Sequence, residues 1–404
     1  PDGTQGEAVQ TLTASTKALP AADPATPTAV DVYDVAGLRN ALDTAEAGDV
    51  IQVHPGLYTL DYRLTVSASG TQDNPIVIRG LDLSSTVIDA QDDLALAIEG
   101  DQVTVEGLNI QNSGGGVKIY DADGITVRGN KIATNNEAYY GQDGISGLGS
   151  DIYIADNILE GSFPFGQVDT AGSDRGINVG GSNIEIAYNT ISGFLDAIAG
   201  GNEKSVGVEI HHNDILWATD NGIELDHGLR NLSVHDNRVA NTNDALSAQT
   251  VATGPAYFFD NILYNVGNSP LKIKPLDAEQ SQGVFFVNNT IIKSGAAWSN
   301  DSGVPSQIVA MNNLFAAQGT TDANETLRNL SDHQLLEMDH NAWLTDGVFR
   351  LELANQPDVQ VGDFATFQNE TQFADNSVLL AGEQVFQNLP LDFDVNGSDV
   401  FRDA

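Results

Sequence analysis

Cysteine is absent from the 404-residue sequence, which excludes disulfides, thiolate metal sites and cysteine nucleophiles. Basic residues are scarce: 17 Lys and Arg stand against 56 Asp and Glu, for a formal net charge of −39. Such a field repels phosphate backbones and anionic lipid surfaces, so nucleic acid and membranes are set aside as partners. It also disfavours polyanionic substrates unless a local basic patch overrides it; solubility in a salty medium is the plain reading. Long apolar runs are missing too, so no segment reads as a membrane-spanning helix. The chain begins at Pro1, not Met. Removal of a secretory signal is the simplest account, and a secreted or periplasmic location is the expectation.

What is present is a 41% apolar composition, enough for a core. Residues 1–29, rich in Ala, Thr and Pro, read as a linker or loosely held arm. In "DVAGLRNALDTAEAGDVIQV", Leu38, Leu42 and Ala45 fall on one helical face and Gly48 closes the segment. Strands follow at Val50 to Val53 and in "PIVIRG".

From about residue 85 one phrase recurs, an apolar strand followed by Asn and a mostly apolar pair. "VRGNKI", "IADNIL", "IAYNTI", "IHHNDI", "VHDNRV", "FFDNIL", "FVNNTI" and "AMNNLF" place it at Asn130, Asn157, Asn189, Asn213, Asn237, Asn261, Asn289 and Asn313. The spacings of 27, 32, 24, 24, 24, 28 and 24 residues mark a solenoid, because each repeat buries its apolar face only against the next. Short β-branched strands without helical periodicity make the unit one coil of a parallel β-helix. Coils then lie about 4.8 Å apart, and equal positions stack into columns. The Asn column reads as an internal amide ladder. The early helix caps the first coil and covers a sheet end that would otherwise pair. Beyond residue 315 the phrase decays, and 316–404 reads as a capping or tail region. The fold class is therefore all-β, a parallel β-helix solenoid with an N-terminal capping helix.

Aligning the coils brings "DRGINVGG", "LDAIAGG", "DNGIELDHG", "NDALSAQT" and "SPLKIKP" together. Ile177, Ile198, Ile223, Leu246 and Leu271 share one inward column, and Val179, Leu225, Ala248 and Ile273 the next. Alternation sends Glu224 and Asp226 outward, about 6.6 Å apart along the strand. The preceding coil offers only Ala and Gly there, as an open shelf; later coils add Ser247 and Gln249, then Lys272 and Lys274.

Two close carboxylates disfavour joint ionisation, which keeps one protonated as a general acid. Separations of about 6.5–9.5 Å suit inverting glycosidases and about 5.5 Å retaining ones. The catalytic candidates are Glu224, Asp226 and His227. Asp196, Lys204, Asp220, Arg230, Asp244, Ser247, Gln249, Lys272 and Lys274 are the candidates for holding substrate. The pair reads equally as solvated strand carboxylates or a Ca²⁺ site, so no cofactor is required and Ca²⁺ is the one considered. Lys272 is an alternative lyase base or uronate partner. His211 and His235 are expected to stack on another face. Trp217, Tyr257, Phe258 and Phe259 read as core packing or as a sugar platform.

The segment "GLRNALDTAEAGDVIQVHPGLYTLDYRLTVSASGTQDNPIVIRG" resembles the start of chondroitinase B-like enzymes, alginate lyases and mannuronan epimerases. The span 30–315 resembles the right-handed parallel β-helix proteins that act on polysaccharides. In the lyase family a Lys base and an Arg lie about one coil apart. Lys204 in "NEKSVGVEI" falls at the Lys position, while Asp226 takes the Arg position, and a carboxylate cannot neutralise a uronate. The E-x-D pair resembles the acid and base of iota-carrageenase-type hydrolases. The resemblance thus implies a right-handed helix and a monomeric enzyme on a polysaccharide, acidic or sulfated chains included. A glycoside hydrolase is favoured over a lyase or C5-epimerase, with a non-catalytic glycan-binding protein as the remaining alternative.

Overall fold

The computed structural model describes residues 23–135, 143–163, 174–249, 251, 253–273, 283–294, 298–299, 308–318, 325–331, 336–344, 348–352, 359–361, 364–371 and 374–380. Among them a 19-stranded and a 13-stranded sheet run along the molecule, and every pairing within both is parallel. Successive coils pair position for position. Ile145, Ile177, Ile198, Ile223, Leu246 and Leu271 form one continuous register, and each is at most 2% exposed. Burying one such side chain stabilises the fold by about 1.5–3 kcal/mol, so the column pins the register: a one-residue slip would turn it to solvent.

The Asn ladder is continuous. The backbone N–H and side-chain amide of Asn130 both donate to Asn157 Oδ1 at 3.0 Å, and the pattern repeats at every later step. It runs further than the recurrent phrase suggests: Asn313 donates to Asn341 Oδ1, and the Asn341 N–H ends on Ser377 Oγ. Each ladder Asn follows a left-handed residue, from Gly129 and Asp156 through Asn312 to His340, with φ between 53° and 62°. Asn, Asp and Gly tolerate that conformation best, which is why they crowd the position before the ladder.

The helix Val35–Asp43 closes the first coil. Asp34 caps it by accepting from the Gly37 N–H at 2.7 Å, and Leu38, Ala41 and Leu42 face inward. It packs over the strands Thr28–Val32, Asp49–Val53 and Leu64–Val66. The strand Thr28–Val32 begins in the last two residues of the segment read as an arm and pairs with Asp49–Val53. The helix ends at Thr44; Gly48, at φ 94°, belongs to the turn beyond. No described helix is long and apolar enough to cross a membrane.

Candidate functional site

The groove arises from a break in alternation. In each coil a small residue and an aliphatic one point inward in succession: Gly176 and Ile177, Ala197 and Ile198, Gly222 and Ile223, Ala245 and Leu246. A Cβ on Gly176 would lie 2.7 Å from Ile191 Cγ2, and one on Gly222 2.4 Å from Val239 Cγ1, so both face the interior. Ala197 and Ala245 are fully buried. The residues flanking this pair form two polar columns, most of them buried. Arg175, Asp196, Asn221 and Asp244 come before the pair; Asn178, Ala199, Glu224, Ser247 and Lys272 come after it.

Contacts link these columns. Asn178 Nδ2 donates to Asp143 Oδ2 at 2.8 Å, and the Arg175 N–H donates to the same carboxylate. Arg175 Nε lies 3.3 Å from Asp196 Oδ2, whose other oxygen accepts twice from Asn221. Lys272 Nζ lies 3.7 Å from Asp244 Oδ2 and 3.4 Å from Asn221 Oδ1.

Glu224 and Asp226 are in direct side-chain hydrogen-bond contact, not about 6.6 Å apart on an open ledge. The strand stops at Glu224, and a turn closed by the Gly228 N–H on Leu225 O folds Asp226 back. The small residues beneath form no shelf. Ala199 is 2% exposed, and a Cβ on Gly201 would lie 2.3 Å from the Leu225 carbonyl carbon, so glycine there lets the coils close up. Asp226 is buried, with Oδ1 accepting from Ser247 Oγ at 2.7 Å and from the Gln249 N–H at 2.8 Å. Glu224 Oε2 is buried with no donor against it.

Two carboxylates bond only if one carries a proton, and Asp226 already receives two donors. The proton therefore sits on Glu224. Burial first, then the charges of Asp226 and Asp196, push the Glu224 carboxyl up to about 9, against the pull of Arg175. Burial also raises Asp226, opposed by Ser247, Gln249 and Lys272.

The surrounding charges are tuned as well. Burial lifts Asp143 to about 6, against Asn178 and Arg175. Burial would lower Lys272, yet Asp220, Asp244, Asp226 and Glu224 together raise it, which keeps it an ammonium. Behind them Lys293 donates to Asn268 O at 2.5 Å, and burial lowers it to about 8.

Of the residues predicted from sequence, Glu224, Asp226, Asp196, Asp220, Asp244, Ser247, Gln249 and Lys272 share this groove. His227, Lys204 and Arg230 are exposed. His227 lies on the turn after the pair, its N–H donating to Gln249 O. Arg230 opens the strand Arg230–His235, opposite Val206, and Lys204 lies in the strand Asp196–His211. Lys274 lies outside the described residues. His211 and His235 stack as expected, 5.1 Å apart and 7° from parallel, with Phe259 next in the stack. The aromatic set splits: Phe258 is fully buried, while Tyr257 is 39% exposed and Trp217 and Phe259 are half-buried. Among the described residues, no three His, Asp or Glu side chains are placed to hold a metal ion.

Sequence reasoning missed Arg175, Asp143 and Lys293. A signal existed for the first two. "DGIS", "RGIN", "DAIA", "NGIE" and "DALS" share a polar–small–aliphatic–variable phrase, whose first residue is the column before the inward pair.

Comparison with known proteins gives the same architecture. A PL6 alginate lyase in complex with a trisaccharide aligns at 14% identity with a TM-score of 0.54, covering 87% of this chain and 96% of the other. The catalytic unit of a GH87 α-1,3-glucanase from Streptomyces thermodiastaticus aligns at 14% identity and 0.51, over 84% and 71%. An alginate lyase from Paenibacillus aligns at 17% identity and 0.44, over 78% and 98%. A search of curated protein sequences gives no match. The description "right handed beta helix region" fits residues 83–315. That span is more than half of the sequence, and the chain belongs to the right-handed β-helix family.

Proposed function

We propose that this chain is a polysaccharide-active enzyme that cleaves glycosidic bonds by hydrolysis, with Glu224 as the general acid. One observation carries the reading: the Glu224 carboxyl stands against Asp226 with its Oε2 buried and without a donor, and burial and that neighbour push it up to about 9. Delivering that proton to a leaving glycosidic oxygen is worth about 10²–10⁴ in rate. Asp226 is the positioning residue, fixing the proton on Glu224 while Ser247 and Gln249 fix Asp226. Since Asp226 is 5% exposed, the water-activating base is a different carboxylate. Asp220 has the solvent access that Asp196 lacks. Fold neighbours that cleave alginate and α-1,3-glucan support a polysaccharide substrate by analogy of architecture.

Elimination from a uronate would need a neutral amine or similar base beside C5. Lys272 is a poor one, because the charges of Asp220, Asp244 and Asp226 hold its proton. The reading extends to a protein that works outside the cytoplasm without a resident cofactor.

The test incubates the intact protein with a panel of polysaccharides and follows reducing ends together with ultraviolet-absorbing unsaturated ends. Hydrolysis gives the first without the second, and Glu224→Gln abolishes it. Unsaturated ends, or full activity in Glu224→Gln, would overturn the assignment.

A further inference from the structure

We infer that the groove takes an uncharged polysaccharide and turns away polyuronates and sulfated chains. The inference rests on the groove being the substrate site, and it narrows what enters.

A polyanionic chain brings a negative charge on each sugar or nearly so, and each needs a cation not already neutralised by the protein. Among the described residues the groove has two cations, and both are paired with carboxylates. Arg175 already serves Asp196 and Asp143. Lys272 serves Asp220, Asp244 and Asp226. The Glu224–Asp226 proton removes one negative charge from this set, and the remaining carboxylates still outnumber the cations, even with Lys293 included. The field of the whole chain, at −39, has the same sign.

A bridging divalent cation is the usual way for an acidic wall to hold an acidic polymer. Here the carboxylates are engaged by protein donors: Asp143 by Asn178, Asp196 by Asn221, Asp226 by Ser247, Asp244 by Asn268 and Ser269. Among the described residues no three of them are set to share an ion.

Sugar hydroxyls meet a different surface. Carboxylates accept strongly from hydroxyl donors, and amide side chains both donate and accept. Gln249 stands half-buried beside Asp226 and Ser247, so a neutral chain meets an amide as well as carboxylates and brings no charge to be compensated.

The experiment is affinity electrophoresis of the full chain carrying Glu224→Gln, which leaves the polymer uncut. The gels contain neutral polymers (α- and β-glucans, xylan, galactomannan) or alginate, polygalacturonate and carrageenan, each with and without Ca²⁺, at low and high salt. The expected result is retardation by at least one neutral polymer, with affinity about tenfold or more above every polyanion at low salt. The gap should narrow as salt screens the repulsion. Asp220→Asn, which removes one of the carboxylate charges around Lys272, should narrow it several-fold. Tighter binding of any polyanion, with or without Ca²⁺, overturns the inference, as does binding of no neutral polymer. If a neutral polymer binds as expected but the unmodified enzyme releases no reducing ends from it, hydrolysis fails while the charge selection stands. Reducing ends released from a polyuronate would do the opposite, leaving hydrolysis in place and overturning the charge selection.

Discussion

Two polar columns run along this solenoid, both largely buried, both produced by stacking equal positions of successive coils. In the Asn ladder each residue is the same as its neighbour, and each amide satisfies the next at about 3 Å. In the column before the inward pair, Asp143, Arg175, Asp196, Asn221 and Asp244 differ at nearly every step, and they are held by charge alternation and by amides from neighbouring positions. The ladder satisfies its own hydrogen-bonding groups. The groove does not, and Glu224 Oε2 is left without a donor. In a repeat fold, sameness along a column serves stacking, and departure from it marks where chemistry is placed.

The sharpest way to break the comparison is to interrupt the ladder. Asn213→Ala strips the donors' partner from Asn189 and leaves the carbonyls of Ile186 and His211 without the Asn213 amide. At about 1–3 kcal/mol for each orphaned buried group, a loss of about 3–5 kcal/mol is expected in denaturant unfolding. Glu224→Gln should do the reverse, costing about 10²–10⁴ in turnover while leaving the melting temperature equal or higher.

A pH series separates the columns next. Below Glu224's ordinary value of 4.5 the carboxyl is protonated in both folded and unfolded chains. Above it the unfolded chain ionises while the folded one keeps its proton up to about 9. Folding stability should therefore fall as pH rises through that window, and Glu224→Gln should flatten the slope. The ladder amides do not titrate and contribute nothing to it. Ser247→Ala, which removes one donor from Asp226, should lower turnover about tenfold, the size of one net hydrogen bond to a charged group. Smallest of all, Arg238→Ala breaks an exposed ion pair with Asp214 outside both columns, and less than about 0.5 kcal/mol should be lost.

The ladder was legible because it repeats: eight copies at 24- to 32-residue spacing reveal the solenoid before any coordinate does. The inward aliphatic register followed from the same alignment. The groove was half legible. Glu224, Asp226, Ser247 and Lys272 could be aligned, but strict alternation laid them on a flat face. The small residue ahead of each aliphatic, such as Gly176 or Ala197, faces inward, and period-two reasoning cannot express two inward residues in a row. Hence Arg175 and Asp143 escaped, and the acid pair was placed too far apart. Asn341 and Ser377 were missed for another reason: the intervals to them, 28 and 36 residues, carry sequence unlike the earlier coils.

The left-handed residue ahead of each ladder Asn also bears on how such a chain can lengthen. Each ladder step is entered through the same kind of turn, so an extra coil copied in among the ladder steps would be geometrically welcome at that corner. It would not be chemically welcome everywhere. A duplicate inserted between Arg175 and Glu224 would push the guanidinium one rung away from the acid pair, whereas one added beyond Asn289 would only make the protein longer.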